Sequence, residues 1–187
     1  ILGSLSSKLK LKNKPLGIDV INHKDKDNRI NFKKIDAKNF FSKNKNQFDL
    51  ILIKQTIHLL DLNTIKKLLF LSKKNLSKNG KIFIFTLDTY QNELPTFKLM
   101  KTKLEKSFDR DKKILEFISN LYPKRLKKKF IYNVKILKKK YLEMIEKRYI
   151  SILLSLNNQQ ISIGLNEIDS KYKKTIRFKD RLTCIVL

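Results

Sequence analysis

Phe48-Asp49-Leu50-Ile51-Leu52-Ile53 opens the stretch that decides the fold, and Lys81-Ile82-Phe83-Ile84-Phe85-Thr86 closes it. Each is a short continuous apolar run, the pattern of a strand buried on both faces of a parallel sheet. Between them Ile65, Leu68, Leu69 and Leu76 recur at helical spacing over about 62–76, with Asp61 or Asn63 placed to cap the start. Ser77-Lys78-Asn79-Gly80 reads as the turn into the second strand. Strand, helix and strand make a βαβ unit, whose crossover is right-handed.

Upstream, Leu16-Gly17-Ile18-Asp19-Val20 and the weaker Asn31-Phe32-Lys33-Lys34-Ile35-Asp36 are strand candidates. The polar segment between Asp19 and Asn31 is too short for a full helix and reads as a loop. Downstream, Leu99, Met100, Leu104 and Phe108, then Ile114, Phe117, Ile118 and Leu121, predict two amphipathic helices. After Pro123, a third helical stretch is expected over 131–145, carrying Val134, Leu137, Tyr141, Leu142 and Ile145. Residues 89–150 together read as a helical insertion or lid in a single domain spanning 1–187. A last helix over about 159–172 precedes 175–178 and 181–187, which suggest a β-hairpin turning at Lys179-Asp180.

The 187 residues suit one domain, and 41% hydrophobic residues supply a sizeable core. A single cysteine, Cys184, excludes an internal disulfide and a cysteine-built zinc site. No apolar run is long enough to cross a bilayer and no signal segment opens the chain, so no membrane partner and a cytoplasmic location are expected. Ile1 at the start and the strand-like Cys184-Ile185-Val186-Leu187 at the end suggest a fragment. The net charge is +26, yet 37 of the 43 basic residues are Lys. Lys, Asn and Ile make 76 residues, the joint bias of AT-rich codons, and every quarter of the chain shares the excess. Nucleic-acid binders concentrate charge and favour Arg, so a solvated surface outweighs a polyanion site here.

Ligands of open parallel sheets bind outside the carboxyl ends of the strands. Asp19 ends one strand candidate, where a carboxylate accepts hydrogen bonds from ribose hydroxyls. Asp36 ends the next, placed to accept from an exocyclic adenine amine, with the small Ala37 leaving room for the ring. Lys54-Gln55-Thr56-Ile57-His58 follows the strand over 48–53, and Gly3-Ser4-Leu5-Ser6-Ser7 reads as a ligand turn.

Over its first 88 residues the chain resembles the class I S-adenosylmethionine-dependent methyltransferases. The matching pieces are Ile1-Leu2-Gly3 as the glycine turn, Leu16-Gly17-Ile18-Asp19 and Ile35-Asp36-Ala37. Phe48-Asp49-Leu50-Ile51-Leu52 through Ile57-His58, and Leu76-Ser77-Lys78-Asn79-Gly80-Lys81-Ile82 before the fifth strand, complete the set. The resemblance implies an α/β, Rossmann-like three-layer sandwich, its mostly parallel sheet carrying a C-terminal antiparallel strand and a helical insertion.

It further implies an enzyme with S-adenosylmethionine as cofactor. Gly3 and Ser4 would lie by the cofactor's amino-acid portion, Asp19 by its ribose, Asp36 and Ala37 by its adenine, and Lys54 and Gln55 by the sulfonium. The family's turn is G-x-G-x-G, whereas here Leu5 and Ser7 replace the second and third glycines. Methyl transfer demands mainly positioning, so no catalytic signature is required and none is present. His58, Arg148 and Tyr149 are candidates to face the acceptor, each with a structural alternative in packing or surface charge. His23 reads as a surface residue.

The expected acceptor is a small molecule. An RNA or protein acceptor guided by Lys127-Lys128-Lys129 and Lys138-Lys139-Lys140 is the second reading. Phe130, Tyr132 and Tyr141, beside those lysines, are expected to pack in the core before they stack on bases. A cofactor-free binding module on the same fold is the third. A nicotinamide-dependent Rossmann enzyme ranks last, because G-x-G-x-x-G is absent.

Overall fold

The computed structural model describes residues 2–22 and 27–187, so Ile1 and His23 lie outside the described residues. The chain divides into two compact units, Ile1–Ile51 with Asn63–Gly80 and Leu52–Leu62 with Lys81–Leu187.

In the first unit α1 (Leu2–Lys8) precedes β1 (Leu16–Asp19) and β2 (Asn31–Lys34). The two strands pair in parallel, Leu16 opposite Asn31 and Asp19 opposite Lys34. Asp36 caps α2 (Ala37–Lys43) by accepting from Asn39 N at 3.0 Å, a bond that satisfies one of the helix's orphan donors. Phe40 and Phe41 of α2 are buried, and both rings meet Phe48 at the start of β3 (Phe48–Lys54), with centroids 6.2 and 6.3 Å away. The next helix, α3 (Leu62–Lys74), buries Ile65, Leu68, Leu69 and Ser72 along one face.

Asn75 makes the connection from α3 to β4 (Leu76–Leu87) by itself. Its Nδ2 donates to Phe41 O at 3.0 Å and Leu71 O at 2.9 Å. Its Oδ1 accepts from Asn44 Nδ2, and its carbonyl accepts from Phe48 N at 2.9 Å. A buried amide this fully paired fixes the chain's exit from the helix without a glycine. The expected turn at 77–80 is therefore not one, because β4 begins at Leu76 and runs through Gly80.

In the second unit α4 (Lys98–Leu121) is followed by β5 (Leu126–Leu137), α5 (Lys138–Glu146), α6 (Asn158–Lys171) and β6 (Thr175–Val186). Short 3₁₀ turns lie at Ile57–Leu59 and Ser151–Ser155. A reciprocal cap between Asn157 and Gln160 starts α6. Phe97, Met100, Tyr141, Ile145, Leu153, Ile168 and Ile176 form one apolar cluster.

The strands follow the order β3-β4-β6-β5, with β6 antiparallel to both of its neighbours. The α/β class and the antiparallel last strand thus match expectation. The sheet is mixed, and β1-β2 form a separate two-stranded ladder. Nor is β3 buried on both faces: Ile51 is buried, while Leu50 is exposed.

Three further expectations are corrected. The two helices expected between 99 and 121 are one, α4: the charged run 109–113 interrupts the apolar stripe but holds no Pro or Gly, and the buried face continues through Asp111 to Ile114. Residues 131–137 are strand, not helix; Phe130, Tyr132, Val134 and Ile136 alternate, and these aromatic and β-branched residues suit a pleated ladder. The hairpin at Lys179-Asp180 is one unbroken strand, pairing Asp180 with Tyr132 and Lys179 with Asn133. That dipeptide lacks the left-handed residues of a two-residue turn. Among the described residues no helix is long and apolar enough to cross a membrane.

Candidate functional site

The first unit holds five of the residues that the sequence singles out. Asp19 ends β1, and its Oδ1 accepts from Ile21 N at 3.0 Å. Its carbonyl accepts from Ile35 N at 2.9 Å, which carries Asp36 to the same end of the parallel pair. Two carboxylates and the half-buried Ala37 therefore stand at the carboxyl ends of adjacent parallel strands. That is where this architecture places ligands.

Gly3 and Ser4 lie elsewhere in local structure than the sequence suggests, inside α1 rather than in a turn. A Cβ on Gly3 would stand 2.0 Å from Asp27 Oδ2, so the space at this glycine is filled by a side chain of the protein itself. Asp27 is held there by Arg29, whose Nε and Nη2 donate to it at 2.8 and 2.7 Å. Those bonds keep the Asp27 carboxyl well below the usual range. Arg29 also donates to Ser7 Oγ at 3.1 Å, and Ser7 donates to Gly3 O at 3.2 Å. Ser4 is exposed.

The second unit holds the other five. Gln55 takes a left-handed backbone, φ 49°, directly after β3, and its N–H donates to Phe85 O at 2.8 Å. This conformation costs a non-glycine residue about 1 kcal/mol and re-aims the chain at the strand's carboxyl end. Arg148, φ 52°, has a plainer reason: it ends α5 in a left-handed cap, with Tyr149 N donating to Met144 O at 3.1 Å. Its guanidinium reaches Asn158 Oδ1 at 2.8 Å and Leu156 O at 3.3 Å, tying the loop before α6. His58 is half-buried, and its Nε2 lies 3.2 Å from Ser151 Oγ. Burial and the nearby Arg110 lower its pKa, leaving a neutral ring at neutral pH.

Tyr149 belongs to a polar cluster that the sequence does not display. Its hydroxyl lies 2.9 Å from that of Tyr141, which donates to Pro95 O at 2.5 Å. Burial, with a contribution from Asp180, pushes Tyr149 up to about 12. Asp180 itself has a buried Oδ1 with no hydrogen-bond partner among the described residues. Burial raises its pKa, and Lys54 opposes that rise. Lys54 and Tyr149 thus both lie within electrostatic reach of one carboxylate, on a strand residue that reads from sequence as half of a turn. A second strand-end acid, Asp88, is fully paired: its Oδ1 accepts from Tyr90 N and Gln91 N, and Oδ2 meets Lys129 Nζ at 3.0 Å.

The basic clusters fall on different elements, 127–129 in β5 and 138–140 in the first turn of α5. Phe130 and Tyr132 are exposed, contrary to the expected core packing, whereas Tyr141 is buried as expected.

No protein-family model matches the chain, and no curated protein sequence does. Solved structures do match. The plantazolicin methyltransferase BpumL, solved with a pentazolic desmethylPZN analog and SAH, aligns over 99% of this chain and 70% of its own, at 19% identity and a TM-score of 0.51. A protein of Anabaena variabilis assigned as a methyltransferase from an antibiotic biosynthesis pathway aligns over 99% and 87%, at 13% identity and a TM-score of 0.54. The fold is that of a class I methyltransferase. Within it, Asp19 and Asp36 end the parallel β1-β2 pair, and Lys54 and Gln55 follow β3.

Proposed function

We propose that this chain is an S-adenosylmethionine-dependent methyltransferase acting on a small-molecule acceptor. The observation that carries the reading is the pair of carboxylates, Asp19 and Asp36, side by side at the carboxyl ends of β1 and β2 in a methyltransferase fold. These acceptors fit an adenosine: Asp19 takes the ribose hydroxyls, and Asp36 with Ala37 takes the adenine edge. Gly3 does not fit a close approach of ligand to backbone, because Asp27 fills that space.

S-adenosylmethionine, when bound, supplies an activated methyl group with its own leaving group. The protein's task is then to orient the acceptor and exclude water. Lys54 and Gln55 border the acceptor side at the end of β3. Asp180 takes the proton that an acceptor hydroxyl or ammonium must lose, since burial favours its protonated form. Tyr149 meets the acceptor through its hydroxyl oxygen, held in place by the buried Tyr141, whose own proton goes to Pro95 O.

Calorimetric titration of S-adenosylmethionine and S-adenosylhomocysteine tests the reading, with Asp19→Ala and Asp36→Asn as variants. Binding to the unaltered protein, weakened at least about tenfold by Asp19→Ala, supports it, since a lost hydrogen bond to a charged group costs about 1.5–3 kcal/mol. A folded protein that binds neither ligand overturns it.

A further inference from the structure

Ion pairs among the described residues join Arg29 to Asp27, Arg110 to Asp111, Lys112 to Asp109, Lys129 to Asp88, Lys138 to Asp169 and Arg181 to Glu93. One groove in the second unit gathers three cations on a single helix face. It is an open groove of about 420 Å³ along α4, beside the Ser151–Ser155 turn. Lys103, Lys106 and Arg110 line it, spaced so that all three project from one face of α4. No carboxylate lines it. Neither Lys103 nor Lys106 has an ion-pair partner among the described residues. Asp111, whose Oδ1 lies 4.0 Å from Arg110 Nε, is buried and does not line the groove.

Hydroxyls complete the lining. Ser107 stands among the cations, and Ser151 and Ser155 face them from the 3₁₀ turn. Ser155 Oγ is engaged with Ile152 O at 3.0 Å. Ser151 has His58 as its neighbour, and a neutral His58 protonated on Nε2 donates to Ser151 Oγ, which frees the serine proton for a ligand. Leu59 and Ile152 add an apolar flank. Three cations, two available hydroxyl donors and one apolar wall describe a site for a compact dianion attached to a small organic group. A carboxylate would leave part of this donor set unused.

We propose that this groove binds the phosphate of a small phosphomonoester, Lys103, Lys106 and Arg110 neutralising it while Ser107 and Ser151 donate hydrogen bonds. The organic part of that ester lies against Leu59 and Ile152.

The test is titration of the full chain with phenyl phosphate, without S-adenosylmethionine, at about 0.15 M salt, where charges more than about 8 Å apart are screened. Inorganic phosphate and vesicles containing phosphatidic acid are the comparison ligands. Lys103→Gln with Lys106→Gln is expected to weaken phenyl phosphate binding at least about tenfold. Neither side chain makes a bond within the described protein, so the variant keeps its fold; Arg110→Gln is the second probe. Lys127→Gln with Lys128→Gln removes the same charge from β5 and is expected to change binding by less than about twofold. Equal losses in the two double variants overturn the proposal, because the charge would then act diffusely. So does absence of phenyl phosphate binding, or binding to the vesicles alone. Because no cofactor is present, the outcome is independent of the transferase reading.

Discussion

The two units are held by different chemistry. The second packs Phe97, Met100, Tyr141, Ile145, Leu153, Ile168 and Ile176 into one cluster, several of them with no exposed surface. The first has a thinner apolar core, Phe40, Phe41, Ile51, Ile65, Leu68 and Leu69, and adds to it a web of side-chain bonds centred on Asn75 and on Asp27 with Arg29. Its β1-β2 ladder is four residues long, against twelve for β5-β6. Apolar burial is tolerant of small shifts, whereas a buried amide is all or nothing, because every group it leaves unpaired costs about 1–3 kcal/mol. The first unit should therefore be the one whose local stability hangs on single polar residues.

The largest effect expected is in the apolar cluster. Ile168→Ala removes a side chain with no exposed surface and should cost about 3–4 kcal/mol, read as a fall in the denaturation midpoint without a change in slope. Asn75→Ala should cost about 2–3 kcal/mol, and hydrogen exchange should show the loss in α2 and α3 while β5-β6 stays protected. Uniform loss of protection across both units would break the comparison. The smallest effect is electrostatic. Burial lifts Asp111 from 3.8 to about 6, so the native state holds that proton more tightly than the unfolded chain does. This group's effect on stability is thus most favourable below about pH 4 and is lost as pH rises to about 6. Asp111→Asn should flatten that slope and raise stability at neutral pH by about 1–2 kcal/mol. Thermal melts from pH 4 to pH 7 read it directly, and an unchanged slope in the variant would place the titration elsewhere.

Legibility followed the same division. Continuous apolar runs marked β3 and β4, helical spacing marked α3 and α6, and Asp19 and Asp36 stood out because an acid ending a strand is a local pattern. Three features were hidden by physics that a local pattern does not carry. Residues 131–137 contain both a period of two and fragments of a helical period, and only pairing with β6 selects the strand. Lys179-Asp180 reads as a turn by composition, and the same long ladder overrides it. Gly3 looked like a ligand glycine, yet its neighbour is Asp27, 24 positions away, which no spacing rule foretells. Asp180 reads from sequence as a turn residue, and only its place in β6 reveals a buried carboxylate within electrostatic reach of Tyr149 and Lys54.

The placement of β6 between β4 and β5 also sets the order in which the chain can fold as it is made. Phe83 pairs with Val186 and Leu87 with Leu182, so β4, with β3 on one side, gains its second neighbour only after roughly a hundred more residues have been synthesised. At about 5–20 residues per second, that is on the order of 5–20 s during which β4 displays an open edge. The strand waiting through that interval reads Lys81-Ile82-Phe83-Ile84-Phe85-Thr86, apolar and free of proline. It is the kind of segment that pairs with its own copies on neighbouring chains. Slower translation through residues 88–186 should accordingly lower the yield of folded protein.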